Sequence, residues 1–309
     1  MATTTNITTT YAGEFAGTYV SAALLSGKTL AENLITIKPN IKFKEVMKKV
    51  ATTDLVKDAT CDFDPTSTLT LTERILQPEE FQVNLQLCKK DFRNDWEAVS
   101  MGFSAYDNLP PSFADFLIAH AADKVAQKME QNIWNGTNAN AGEFDGFKTT
   151  LLADADVVDV AAVGGGVDSS NVVAQLGRIV DVIPSAVYGT EDLFIYVSSN
   201  IYRAYVRALG GFASNVGAAG TDNKGTQWFN GGALTYDGIN IVLASGLAAN
   251  TAVAAQKSNL FFGTGLLNDQ NEVKVIDMAD IDGSQNVRVV MRFTAGIQHA
   301  IGSDIVLYS

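Results

Sequence analysis

At 309 residues, with 47% hydrophobic and 18% charged residues, the chain is long and apolar enough to bury a sizeable core, as one large domain or two smaller ones. A formal net charge of −12 argues against a surface built to neutralise phosphates, and so against sequence-independent nucleic-acid binding. Apolar stretches such as IVLASGLAAN are broken by Gly, Asp or Asn short of the roughly 20 residues a bilayer span needs, and MATTTNITTTYAGEFAG lacks the basic start and apolar middle of a signal peptide, so neither membrane insertion nor export by that route is expected. Cys61 and Cys88 are too few for a disulfide scaffold and, even with His120 and His299, too few for a zinc site; both are expected to be ordinary buried thiols.

The first thirty-odd residues are rich in Thr, Ala and Gly, as expected of an extended arm that gains order only against a partner. From Ile37 to Val50, IKPNIKFKEVMKKV gathers Lys38, Lys42, Lys44, Lys48 and Lys49, which read as a solvated face, with a local acidic or nucleic-acid contact as the alternative, and Ile41, Val46, Met47 and Val50 are available to one buried side. STLTLTERILQPEEFQVNLQLCKKDF then alternates twice, over Thr68–Thr72 and Phe81–Leu87. Period two means strand, so the segment reads as a long antiparallel hairpin with a polar tip holding Glu73, Arg74, Pro78, Glu79 and Glu80. Its apolar face would be Leu69, Leu71, Phe81, Val83, Leu85 and Leu87, and because a lone hairpin is marginal in water, that face must be covered by the same chain or by a neighbour.

PPSFADFLIAHAADKVAQKMEQNIWNG predicts a helix over 112–135, with Ser112 as cap, Asp115 in the first turn and Asn135 with Gly136 as the stop. Phe113, Phe116, Leu117, Ala121, Val125, Met129 and Ile133 form one stripe along it. At about 1.5 Å per residue it is long enough to act as a spine. Beyond it, 154–163 reads as a strand, Gly164 to Gly166 as a link, and DSSNVVAQLGRIVDVI as a helix ending at Pro184. DLFIYV is a buried strand, SSNIYRAYVRALGG a helix, and 210–232 a Gly- and Asn-rich loop. The strands TYDGINIVLAS, NLFFGT, EVKVIDM, NVRVVMRFTA and DIVLYS close the chain, giving an α+β protein with an α/β mid-section.

No phosphate loop, dinucleotide fingerprint or nucleophile elbow occurs, and two histidines leave few members for a Ser-His-Asp or Cys-His arrangement. His120, beside the apolar stripe of the helix, is expected to be packed or hydrogen-bonded rather than catalytic. Asp280, Asp282 and Gly283 lack the remaining ligands of a calcium loop and read as a polar turn. No enzyme activity, cofactor or metal is therefore expected.

The order of parts resembles the capsid fold of the major capsid proteins of tailed double-stranded DNA bacteriophages, the Hong Kong ninety-seven type. By that resemblance 1–38 is an N-terminal arm, and 39–54 with 93–167 form the first part of a P-domain whose spine helix is 112–135. Residues 55–92 form an E-loop hairpin, 168–255 an α/β A-domain, and 256–309 the C-terminal strands returning to the P-domain. DLFIYVSSNIYRAYVRAL and YDGINIVLASGL are similar to the family's A-domain, while Phe262 with Gly263, Arg292 with Phe293, and Gly296 hold the places of its C-terminal pattern.

The resemblance implies a structural subunit, not an enzyme, that self-assembles in the bacterial host cytoplasm as pentamers and hexamers of an icosahedral virion shell around DNA. It also implies portal, separate scaffolding and decoration proteins as partners, and no membrane. Leu69, Leu71, Phe81, Val83, Leu85 and Leu87 would lie across an adjacent subunit, each contributing about 1.5–3 kcal/mol before ordering costs. An encapsulin shell of the same fold is the alternative; a β-rich phage tail or adhesion protein is a second, which would be expected to show internal repeats that this sequence lacks.

Overall fold

The computed structural model describes residues 28–52, 56, 58–59, 61, 69–92, 111–209, 234–265 and 273–309. In chain order the elements are α1 (Lys28–Ala31), β1 (Thr36–Lys38), β2 (Glu45–Thr52), β3 (Leu69–Leu76), β4 (Glu79–Cys88), α2 (Lys89–Phe92), α3 (Pro111–Asn135), α4 (Phe147–Leu152), β5 (Val158–Val160), α5 (Val172–Val180), β6 (Leu193–Val197), α6 (Ser199–Leu209), β7 (Leu234–Tyr236), β8 (Ile239–Leu243), β9 (Ala252–Gln256), β10 (Leu260–Gly263), β11 (Val273–Asp277), α7 (Ala279–Asp282), β12 (Asn286–His299) and β13 (Val306–Tyr308). Two compact units emerge, a larger one of Gly27–Glu80, Lys128–Leu267 and Thr294–Ser309, and a smaller one of Met1–Ser26, Phe81–Gln127 and Asn268–Phe293. The division falls within β4, α3 and β12.

The larger unit is organised by a six-stranded mixed sheet of order β5-β13-β9-β6-β8-β7. On one face α5 and α6 pack their apolar stripes: Val172, Leu176 and Ile179 of α5 and Ile201, Ala204 and Tyr205 of α6 meet Leu193, Ile195 and Val197 of β6. Alternation sends Tyr196 the other way, where its ring stacks 5.1 Å from Trp134 at the end of α3, and its hydroxyl donates to the Leu34 carbonyl at 2.6 Å. Phe147 of α4 completes this cluster, 5.4 Å from Trp134. The close approach of Gly246 to the end of α3 leaves no room for a side chain, since a Cβ there would lie 2.0 Å from the Glu130 carbonyl oxygen.

Residues 168–255, expected to form an α/β lobe, hold α5, β6, α6, β7, β8 and most of β9, and β5 and β13 from outside that range join their sheet. DIVLYS was expected to return to the spine's sheet, yet β13 inserts into the lobe's sheet, parallel to β5 and antiparallel to β9. The reason is burial on both faces: Val306, Leu307 and Tyr308 are all buried, which suits an interior strand rather than an edge.

In the same unit β10 carries β1 in parallel and the end of β12 antiparallel, from Leu260↔His299 to Gly263↔Gly296. Residues 28–38 were expected to belong to an arm ordered only by a partner. Instead α1 and β1 are built in: Leu34, Ile35 and Thr29 are buried, because Leu34 and Ile35 have apolar surface to bury within their own chain. The rest of that expected arm lies outside the described residues, as do 210–232 and the whole of 93–110.

The expected hairpin is rebuilt most. β3 pairs with β2, not with β4, in an eight-residue antiparallel ribbon running from Glu45↔Leu76 to Thr52↔Leu69. β4 pairs instead with β12. Only Gln77 and Pro78 separate β3 from β4, and a two-residue hairpin turn of either primed type needs positive φ at its first central residue, which Gln77 does not adopt. That turn rests on Gly296, where a Cβ would stand 2.8 Å from the Gln77 carbonyl oxygen.

In the smaller unit β11 pairs antiparallel with the first part of β12, from Val273↔Met291 to Asp277↔Val287. In this part of β12, Val287, Val289, Met291 and Phe293 are buried on alternate positions. Lys89 is buried and forms an ion pair with Asp277, while its backbone N–H donates to the Gln285 carbonyl at 2.8 Å. The helix expected over 112–135 is α3, which starts one residue earlier: Pro111 takes the first helical position, so Ser112 lies inside the first turn rather than before it. Cys61 is exposed and Cys88 half-buried, so neither is the buried thiol expected.

Candidate functional site

Among the described residues no group of three His, Cys, Asp or Glu is placed to hold a metal ion, and no helix is long and apolar enough to cross a membrane. The features that stand out are surfaces. The six residues expected to form one hairpin face are divided by the strand pairing. Leu71 lies in register with Val50 and Leu69 with Thr52 on the β2–β3 ribbon; their side chains lie outside what is described. Phe81, Val83, Leu85 and Leu87 belong to β4 in the smaller unit. Phe81 is half-buried with its ring 5.6 Å from that of Phe293, and Leu85 borders a cleft of about 350 Å³ with Asn84, Gln86, Arg288, Val289 and Val290. Strand pairing thus assigns Leu69 and Leu71 to the β2–β3 ribbon and the other four to β4, which pairs with β12.

The ribbon does present an unsheltered apolar pair that the sequence pattern missed. Val46 and Ile75 face each other across β2 and β3, and are 45% and 48% exposed. Val46 and Met47 were expected on one buried side, but adjacent residues of a strand point to opposite faces, and Val46 faces out. Ile75 was hidden in what read as a polar tip. Beside the pair runs Lys48, 3.8 Å from Glu73, and just before β2 stands Phe43, 72% exposed.

The ribbon's root is pinned on its other side. Arg74 Nη2 donates to Asp154 Oδ2 at 2.5 Å, and His299 Nε2 lies 2.7 Å from the same oxygen. Burial opposes the Asp154 charge, but hydrogen bonds from His299, the Asp156 amide and Arg74 outweigh it and hold its carboxyl below the usual range. For His299, fully buried, desolvation dominates and holds the imidazole below its ordinary value. A neutral ring facing an acceptor-only carboxylate must carry its proton on Nε2. Leu76, wholly buried, packs over Gly263 with Ile41, and Gln298 Nε2 donates to the Ile75 carbonyl at 3.1 Å. One side of the ribbon root is thus fastened to the unit while Val46 and Ile75 are left open.

A second buried network fastens residues 28–35. The Trp134 indole, which can only donate, bonds Thr29 Oγ1 at 2.9 Å; Thr29 Oγ1 therefore donates to Glu130 Oε1 at 2.6 Å, and the Thr29 amide donates to Glu130 Oε2 at 3.1 Å. Burial pushes the Glu130 carboxyl up, and the bonds from Thr29 and the Gly246 amide pull partly back.

On the helical side of the lobe a second open patch is built by α5 and the β7–β8 turn. Val173, Val182 and Tyr188 are 47%, 39% and 47% exposed. Tyr236 Oη donates to the Val173 carbonyl at 3.1 Å and Tyr188 Oη to the Asp237 carbonyl at 3.4 Å, tying the turn to the helix. Asp181 and Asp237 border the patch, near enough to add to the burial that raises the Tyr236 phenol.

No protein-family model and no curated protein matches the sequence. Solved structures do match. A chain from the capsid of a native GTA particle aligns over 92% of this chain and 90% of its own, at 13% identity and a TM-score of 0.62. A chain from Mycobacterium phage Adephagia aligns over 92% and 90%, at 14% identity and TM-score 0.59. A chain from the capsid structure of the cyanophage P-SCSP1u aligns over 90% and 86%, at 13% identity and TM-score 0.54. At nearly full length on both sides, the chain shares its fold with these phage and GTA capsid chains.

Proposed function

We propose that this chain is a major capsid protein of the Hong Kong ninety-seven type, a structural subunit that assembles with copies of itself into an icosahedral shell around phage double-stranded DNA. The observation that carries the reading is the alignment of 92% of the chain with a capsid chain, which leaves no large part over for another role. Within that reading the β2–β3 ribbon, over 45–76, takes the place of the E-loop, and the six-stranded lobe that of the A-domain. The C-terminal half of α3 and the β10–β12 pairs supply the P-domain, and residues before 28 the arm.

The mechanism is burial in trans. Val46 and Ile75 keep about half of their surface open in a single chain, which suits a face that an adjacent copy covers. The Arg74–Asp154–His299 bonds set the angle at which the ribbon leaves its unit, so that the same contact repeats from subunit to subunit. The net charge of −12 gives a wall that does not hold DNA, letting the polymer slide during packaging. Negative-stain microscopy of the purified chain tests this reading: closed particles are expected, and a chain that stays monomeric at all concentrations overturns it.

A further inference from the structure

Two open apolar patches on the larger unit are opposite in charge. The first lies at the approach to the ribbon, where Phe43 is 72% exposed and followed by the open Val46 and Ile75. Lys42 and Lys44 flank Phe43, both exposed and neither paired with a carboxylate among the described residues; Lys44 Nζ stands 5.3 Å over the Phe43 ring. The second is the lobe corner of Val173, Val182 and Tyr188. Its Asp181 and Asp237 are exposed and carry no cationic partner among the described residues. Positive φ at Asp237 and Gly238, 47° and 79°, makes the β7–β8 link a tight hairpin turn with Asp237 exposed at its first position.

We propose that the Lys42-Phe43-Lys44 approach to the ribbon docks on the Asp181–Val182–Tyr188–Asp237 corner of a second copy of this chain. The proposal rests on the shell reading and names the surface that the ribbon's root meets. Charge selects the occupant: two lysines around one aromatic, in a chain of net charge −12, are too few for a phosphate track, but match two carboxylates around an apolar centre. The two patches are different surfaces, so the contact is heterologous, head to tail. Repetition therefore closes a ring or extends a lattice, and does not stop at an isologous dimer. Desolvated aromatic contact supplies the strength, while the lysine–aspartate pairs set register and make the contact sensitive to salt.

The test is charge reversal with compensation in the full chain. K42E/K44E and D181K/D237K should each raise by roughly tenfold the concentration at which particles form. The combined K42E/K44E/D181K/D237K variant should return it to within about threefold of wild type. Melting curves on the same preparations separate lost contact from lost fold. If a charge variant misfolds, Phe43→Cys with Tyr188→Cys in a Cys61→Ala/Cys88→Ala background decides: oxidised particles should give a ladder of disulfide-linked chains on a non-reducing gel. Folded reversal variants that assemble like wild type, a combined variant no better than its parents, or particles without a ladder each overturn this docking while leaving the shell reading standing. Wild-type chain that forms no particle overturns both.

Discussion

Replacing the open pair of the ribbon by β-branched polar residues, Val46→Thr with Ile75→Thr, separates burial in trans from folding in cis. Full burial of a Val or Ile side chain is worth about 1.5–3 kcal/mol. With 45% and 48% of each residue still exposed in the single chain, about half of that is left for a neighbour, roughly 1.5–3 kcal/mol for the pair at each contact before ordering costs. That is roughly 10- to 150-fold in the association constant of one contact. Threonine is β-branched and keeps the strand preference, so the isolated subunit should lose no more than the share the pair already buries in its own chain, about 1–2 kcal/mol. The assay is particle yield by sedimentation across a concentration series, alongside thermal unfolding of the unassembled chain. Unchanged yield would refute the reasoning, and so would a fall in yield fully matched by a fall in subunit stability.

The ribbon's anchor makes a pH prediction. The folded Asp154 pKa is depressed, so its contribution is present above the unfolded value, near 3.8, and is lost as pH falls through the folded value. The folded His299 pKa is also depressed, so below its unfolded value, near 6.5, proton uptake by the unfolded chain already erodes stability. Melting temperature should thus fall on acidification from about pH 6.5 downward, and Asp154→Asn, costing about 2–3 kcal/mol at neutral pH, should flatten the acid limb. Glu130 runs the other way: its raised folded pKa means ionisation costs stability above the unfolded value, near 4.5, and acidification through the folded value relieves that cost. Thr29→Val should unfasten residues 28–35 at a cost of about 1–3 kcal/mol, read as faster limited proteolysis near the N-terminus. Gly246→Ala, with its Cβ against the Glu130 carbonyl, should lower stability by about 1–3 kcal/mol in thermal unfolding.

Periodicity was a good guide to elements and a poor one to partners. The helix expected over 112–135 was legible within one residue of Pro111–Asn135, because its apolar stripe continues over about six turns and Asn135-Gly136 ends it. DLFIYV and SSNIYRAYVRAL were legible as β6 and α6 for the same reason. Alternation in 68–72 and 81–87 announced two strands but not that they belong to different sheets, since period two says which residues share a face and nothing about which strand lies alongside. The clue lay in Gln77-Pro78, a dipeptide unable to make a two-residue hairpin turn. The true partner, β2, was masked by its lysines, which suit one solvated face of a two-stranded ribbon as well as they suit a loop. The open pair was legible only in halves, Val46 in a basic run and Ile75 in an apparent tip, because a cross-strand pair exists only once register is known. The built-in segment 28–38 was missed because LAENLITI is short, and its burial depends on Glu130 and Trp134, about 100 residues away.

The most direct measurement is electron microscopy of the purified wild-type chain, with sedimentation of the same sample. Closed shells built of five- and six-membered rings, lost in the Val46→Thr/Ile75→Thr variant, are the expected result. A sample that remains single chains or small oligomers under every concentration and salt condition would contradict the claim that copies of this protein shelter one another.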